Sequence, residues 1–395
     1  MELTKTKYKQ TEIGLIPEDW ELVPFDSIFS FYSTSNYSKA QMSEADEVGC
    51  IHYGLIHAIK NTNFDLKSGV KYYVTSEQAK YEFVRDGDVI MVDASEDLEG
   101  INKSVEIFGV GNKKYISGLH TYLLRDKKYL LADNFRGVIL NSQSVKNQML
   151  QLAVGMKVFG VSKTQLINVK IPLPPLPEQK AIAQVLSDTD TLIQTLEQKL
   201  AKKRAIKQGA MQQLLTPKED WEVRKLGEIS HIKTGKKNNQ DKISDGQYPF
   251  FVRSQNVERI NSYSYDCEAI LIPGEGGIGS IYHYINGKFD VHQRVYKISE
   301  FVQDVLGKFI YLYMKKNFNS HAMKNSVKAT VDSLRLPTFL EFEVSVPPIQ
   351  EQIRIATILS DMDLEIGQLE QKLEKYKLLK QGLMQELLTG RIRLV

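Results

Sequence analysis

Two stretches of the chain carry the same hydrophobic rhythm. Apolar side chains recur at Ile355, Leu359, Met362, Ile366, Leu369, Leu373 and Tyr376, at spacings that alternate four and three. An earlier stretch repeats this through Ile182, Leu186, Thr189, Ile193, Leu196 and Leu200. A period near 3.5 residues is the seam of a left-handed coiled coil. Past Lys203 and Tyr376 the pattern predicts a change of phase, with Ile206, Ala210 and Leu214, and likewise Leu379, Leu383 and Leu387, taking over the stripe. The prolines ahead of Glu178 and Glu351 suit the end of a strand or loop and not a helix interior. Pro217 and Gly390 follow the last periodic residues as stop signals. Each helix is about 38 residues, or roughly 57 Å at 1.5 Å per residue. A narrow seam of this length pairs more often with another helix than with its own domain alone.

The two stretches are copies. Residues 174–216 align with 347–389 at an offset of 173 without a gap, and about 25 of 43 positions are identical. A second repeated element opens each half: Glu18-Asp19-Trp20-Glu21 returns as Glu219-Asp220-Trp221-Glu222, so both tryptophans hold equivalent places. Between these elements, 31–170 and 232–345 share little beyond a faint echo of 115–124 (YISGLHTYLL) in 289–298 (FDVHQRVYKI). The chain path makes a pair formed by the two helices antiparallel. Gly209 and Gly382 occupy one helical position, and a helical Gly costs ~1 kcal/mol relative to Ala, which predicts close approach of another backbone there.

Each variable segment mixes strand and helix patterns. Strands are expected at 88–92, 114–117, 119–124, 167–171, 269–272, 280–284 and 342–346, and helices at 133–153 and 302–317. Gly87-Asp88 and Asn286-Gly287 are turn signals. The expected fold is α+β, with two mixed α/β heads, two long antiparallel coiled-coil helices and a pseudo-twofold internal repeat. Its segments are head 1 at 1–173, helix 1 at 174–216, head 2 at 217–346 and helix 2 at 347–395.

Charge refines this picture only locally. Lys and Arg number 51 against 48 acids, a net charge of +3, so a nucleic-acid surface must be a patch. Candidates are Lys113, Lys114, Lys157 and Lys163 in head 1, and Lys233, Lys236, Lys237, Arg253, Lys324 and Lys328 in head 2. Lysines among Asn, Gln, Ser and Tyr suit phosphate anchoring and base-edge contacts. The two cysteines, Cys50 and Cys267, make neither a disulfide framework nor a Cys-based zinc site. No apolar run approaches a membrane span, and the first residues lack a signal-peptide core, so a cytoplasmic protein with no membrane partner is expected.

Catalytic signatures are missing. Gly274–Ser280 is glycine-rich but lacks the Lys-Ser/Thr ending and following helix of a phosphate loop. The base-amino methyltransferase tetrapeptide is absent, the seven histidines are scattered, and no metal or triad set can be assembled. His120 and His292 lie in the echoed segment, which favours a structural or DNA-facing role.

The PPLPEQ…LSDxD…LEQKL…KQGxMQxLLT segment, the duplicated DWE element and GLHTYLL together resemble the specificity subunit of type I restriction-modification systems, over essentially the whole chain. The resemblance implies target recognition domains that each read half of a split double-stranded DNA site. It implies a seam formed by Ile182, Leu186, Ile193, Leu196, Leu200, Ile355, Leu359, Met362, Ile366, Leu369 and Leu373 that sets the spacer. It implies two methyltransferase subunits and, in the full complex, restriction subunits, which use S-adenosylmethionine, ATP and Mg, while this chain holds no cofactor and no catalytic residue. A methylation-only system and a coiled-coil scaffold without DNA binding are the alternatives.

Overall fold

A computed structural model describes residues 7–98, 100–155, 159–326 and 333–394. The chain divides into two compact units, 1–197 with 372–395, and 198–371. Both long helices, Leu176–Leu214 and Ile349–Leu387, are shared between the units, and each has 39 residues.

In the first unit, five strands form a sheet in the order Phe29–Tyr32, Thr121–Asp126, Val89–Val92, Ser104–Phe108, Asn63–Asp65. A separate three-stranded sheet is formed by Lys114–Ser117, Val48–Ile51 and Tyr72–Val74. The second unit has one six-stranded sheet: His231–Thr234, Val295–Ser299, Tyr265–Pro273, His283–Val291, Tyr248–Phe251, Glu258–Ile260. Apart from the edge strand Asn63–Asp65, which the second head lacks among the described residues, the two heads share this order. The long strand His283–Val291 first pairs with Tyr265–Pro273 and then runs parallel to Tyr248–Phe251. In the first head the same path is cut into Ser104–Phe108 and Lys114–Ser117 by a turn containing Gly109 and Gly111, both at positive φ.

Several expected elements shift. The strand expected at 119–124 is Thr121–Asp126, with Gly118–His120 in a turn, and the strand expected at 280–284 begins only at His283. Residues 167–171 give the end of a short helix and then the strand Lys170–Leu173. The helix expected at 133–153 is two helices, Arg136–Leu140 and Gln143–Leu152, because Asn141 turns its amide onto the Ser104 and Gly137 carbonyls and Ser142 caps the second. The helix expected at 302–317 is Gly307–Lys324. Asn286-Gly287 is no hairpin turn. It lies inside a strand, opposite Glu268 and Cys267, with Gly287 at φ +139.

Each long helix is anchored by its first turns. Ile182 and Leu186 are buried in the first head's core with Phe25, Ile171 and Leu387. Ile355 and Leu359 are buried likewise with Trp221, Phe309 and Val344. The Gln of each Pro-Pro-x-x-Glu-Gln motif is a buried clamp. Gln179 accepts from the Ala132 amide and donates to the Leu130 and Pro174 carbonyls. Gln352 accepts from the Leu306 amide and donates to the Asp304 and Pro347 carbonyls. Buried polar groups left unpaired are costly, so this amide fixes the angle at which helix leaves head.

Within each unit the helix segments run antiparallel. In the first, Asp190 pairs with Lys380 at 2.5 Å and Glu197 with Lys377 at 2.9 Å. In the second, Asp363 pairs with Lys207, Glu370 with Arg204 at 2.6 Å, and Glu365 with Lys203 at 2.7 Å. The first two pairs of each unit are equivalent under the 173-residue offset. Leu196 and Leu200 are buried, and Ile193, Met362, Ile366, Leu369 and Leu373 are half-buried.

The predicted phase change does not occur. Ile206 and Leu379 are exposed, and the half-buried stripe continues through Lys203, Lys207, Ala210 and Leu214, and through Tyr376, Lys380 and Leu383. The ion pairs carry lysines on long aliphatic stems into the seam, which a purely apolar pattern skips. Gly209 and Gly382 are exposed too, and a Cβ at either would meet nothing within 4 Å. The chain's own fold therefore brings no backbone close to them.

Candidate nucleic-acid interface

The basic candidates separate into a cluster and several isolated positions. In the second head, Gly235, Lys236 and Lys237 follow the strand His231–Thr234 and wrap the turn His292–Arg294. The Lys237 amide donates to the Val291 carbonyl, and its own carbonyl accepts from the Gln293 amide. Gly235 is required there, since a Cβ would lie 1.9 Å from the Val291 carbonyl oxygen. Arg253 approaches the same turn through Glu275, which accepts from Arg253 at 3.3 Å and also from Arg294. A cavity of about 240 Å³ opens here, lined by Thr234, Gly274, Glu275, Gln293, Arg294, Tyr296 and Leu334. Burial, then the Arg253 and Arg294 charges, lower the pKa of His292, which keeps its ring neutral as an acceptor for the Arg294 amide.

Lys233 stands apart, over the Tyr265 ring at 5.6 Å, beside buried Lys297 at 4.9 Å from the same ring. Lys324 closes the helix Gly307–Lys324 and is exposed. In the first head, Lys113 and Lys114 sit at the start of the strand Lys114–Ser117, with Lys114 over Phe83. Lys163 opens a short helix and lies over Phe31 and Tyr122 at 5.5 and 5.6 Å. These do not join one cluster. Lys157 and Lys328 lie outside the described residues.

A cavity of the first head, about 520 Å³, lies instead at the opposite end of the strand that Lys114 begins. Tyr53, His57, Ser95, Asp97 and His120 line it. His120 Nδ1 is 3.3 Å from Asp93, and the Tyr53 ring meets the His120 ring edge-on at 5.6 Å. Burial, Lys39 and His120 lower the His52 pKa to about 4, so this imidazole stays neutral and accepts from the Gly54 amide. His120 and His292 both fall in turns rather than in the strand of the echo. Among the described residues, no group of three or more His, Cys, Asp or Glu side chains could hold a metal ion, and no helix is long and apolar enough to cross a membrane.

The arrangement of two heads on one β topology, each followed by a copy of one helix, has counterparts. The model of the type I restriction modification DNA specificity domain matches residues 17–203 and again 218–377. The chain belongs to this family. A putative type I restriction enzyme MjaX specificity subunit of Methanocaldococcus jannaschii is 27% identical over 98% of this chain and 96% of its own length. The type I restriction enzyme MjaVIII specificity subunit of the same organism is 25% identical over 96% and 94%. In fold, the chain is similar to the crystal structure of a type I restriction-modification S subunit from M. genitalium, with a TM-score of 0.64, 16% identity and 98% of both chains covered.

As a type I DNA specificity protein, the chain recognises DNA, and its two domains are where residues for that task must lie. Counting lysines missed Arg294, Gln293 and Glu275 in one head and Tyr53, His57, Asp93 and Asp97 in the other. The available signal was the echo itself, whose aligned segments contain both three-residue turns.

Proposed function

We propose that each head reads one half of a bipartite double-stranded DNA site, that the paired helices set the gap between the halves, and that the chain serves as the non-catalytic subunit on which two methyltransferase subunits dock in the cytoplasm. S-adenosylmethionine, ATP and Mg belong, in this reading, to those subunits and to restriction subunits of the full complex. The observation that carries it is the same strand order built twice, each time followed by the same helix, with different side chains at the strand-end turns. One frame repeated with different polar surfaces suits two different half-sites. The named activities of the relatives, type I restriction enzymes, support the same reading.

The test is methylation of a DNA library by the chain together with its methyltransferase partner. Two half-sites at a fixed gap are expected, and exchanging 31–170 for another member's head should change one half and spare the other. Matched heptads inserted after Leu196 and Leu369 add about 10 Å, so the preferred gap should grow by roughly three base pairs at about 3.4 Å each. Robust methylation at the original gap would show that the helices do not set it.

A further inference from the structure

The turns Gly118–His120 and His292–Arg294 occupy the same place in the two heads. Three backbone hydrogen bonds of their frames match. The Gly118 amide donates to the Ile51 carbonyl, as the His292 amide does to that of Phe251, at 2.9 Å in both. The carbonyls of Ser117 and Val291 accept from Ser35 and Lys237. The carbonyls of His120 and Arg294 accept from Asp93 and Gly274, at 3.2 and 2.9 Å. Strand register agrees, since Thr121 faces Val92 where Val295 faces Pro273. His120 and Arg294 are thus the third residue of one turn, and Tyr53 and Arg253 the second residue after one strand.

On this common backbone the side chains differ, and they differ in hydrogen-bonding chemistry. The first head presents an imidazole held by Asp93, with half its side chain exposed. The second presents a guanidinium held by Glu275, with 56% of its side chain exposed. Each carboxylate is more buried than the side chain it holds, 28% and 24% exposed. It therefore orients that side chain without covering it. Phosphate contact alone can be made by a lysine acting as a point charge, with no carboxylate to orient it. A base edge demands orientation: an arginine fork matches the O6 and N7 acceptors of guanine.

We propose that Arg294 and His120 are specificity-determining residues of the two heads, with Arg294 reading a guanine in the half-site of the second head. Asp93 and Glu275 are positioning residues. The inference rests on the reading of each head as the reader of one half-site.

The experiment is methylation of a library randomised in both half-sites by the complex carrying Arg294→Ala, His120→Ala or neither. The unaltered complex must prefer a bipartite site; if it does not, the half-site reading itself falls. Given that preference, Arg294→Ala is expected to relax one guanine of one half-site by on the order of 10- to 100-fold and to leave the other half-site unchanged. His120→Ala should relax one position of the other half-site. A uniform loss of methylation with unchanged base preferences would make these residues phosphate contacts and overturn the proposal. If Arg294→Ala abolishes methylation, Arg294→Gln, whose amide matches the adenine edge instead, decides: loss of the guanine preference supports the proposal and its retention overturns it.

Discussion

The two tryptophans of the repeat stand at the same joint between head and helix, yet they are held differently. Trp20 donates its indole N–H to Glu178 at 3.0 Å, and Glu178, fully buried, also accepts two bonds from Arg393 at 2.6 and 2.8 Å. Arg393 reaches on to Asp19 at 2.7 and 3.0 Å, and Tyr8 donates to the Gly390 carbonyl. Among the described residues, the second joint has no such network. Trp221 Nε1 is buried without a hydrogen-bond partner among the described residues, and Glu351, partly exposed, pairs with Lys218 and Arg354. Connectivity explains the difference. In the second unit the helix end runs straight into Trp221 through Pro217 and Lys218. In the first, the helix ending at Leu387 and the strand leading to Trp20 are separate pieces of chain. A polar clasp does there what a peptide linkage does in the other unit.

The largest expected effect breaks the clasp. Arg393→Ala leaves Glu178 charged, buried and short of its main partner, which should cost about 3–5 kcal/mol, read by denaturant unfolding. Lys218→Ala removes an exposed partner of Glu351 and should cost under ~1 kcal/mol. Equal losses would show that the two joints are energetically alike.

Acid should reach both joints by the same sign. Arg393 holds Asp19 below its ordinary value, and Arg354 with Lys218 pushes Glu351 down to about 2 from 4.5. A depressed carboxylate stabilises the fold above its unfolded pKa and loses that contribution as pH falls through the folded value. For Glu351 the window is about pH 4.5 to 2, with a small amplitude because solvent screens the pair. Carboxylate signals followed by NMR through this window should report the low Glu351 midpoint, and an ordinary midpoint would remove its pairing.

Exchanging the indoles sharpens the contrast. Trp20→Phe gives up a hydrogen bond to a charged acceptor, worth ~1.5–3 kcal/mol. Trp221→Phe removes a buried donor that has no partner, so its cost should be smaller, confined to lost packing against Phe309 at 5.9 Å. A larger loss at Trp221 in thermal unfolding would contradict this.

The smallest effect concerns the heads. Lys236→Ala with Lys237→Ala should make the salt slope of DNA affinity shallower by about one to two units. An unchanged slope would leave these lysines merely solvated.

What could be read from the chain follows from where information is repeated. The helices were legible because 43 residues recur without a gap and because a long periodic pattern averages over single exceptions. The exceptions were lost: Lys207 and Lys380 continue the stripe as ion-paired lysines, whereas Ile206 and Leu379 point outward. In the heads, strands of two to nine residues are too short for periodicity to fix their ends. Asn286-Gly287 carries a turn signal that strand pairing on both sides overrides. The candidate site was legible only in part. Lys237 and Arg253 both border the turn His292–Arg294, but beside Arg294 and Glu275, which no charge run marks because only tertiary contact brings them together.

The order of charges along the helices has a consequence for descent. Asp190, Glu197, Arg204 and Lys207 in one helix, and Asp363, Glu370, Lys377 and Lys380 in the other, place acids first and bases last. Each helix therefore holds both halves of the ion pairs it makes, and an antiparallel copy of itself satisfies them as well as its present partner does. A parallel copy sets acid against acid. A single-headed ancestor with one such helix would have closed on a second molecule of its own kind and met DNA as a symmetric pair. Joining two such chains end to end keeps that pairing within one chain and releases the second head from symmetry. Asymmetric recognition then needs no new interface, only divergence of the surfaces carried on it.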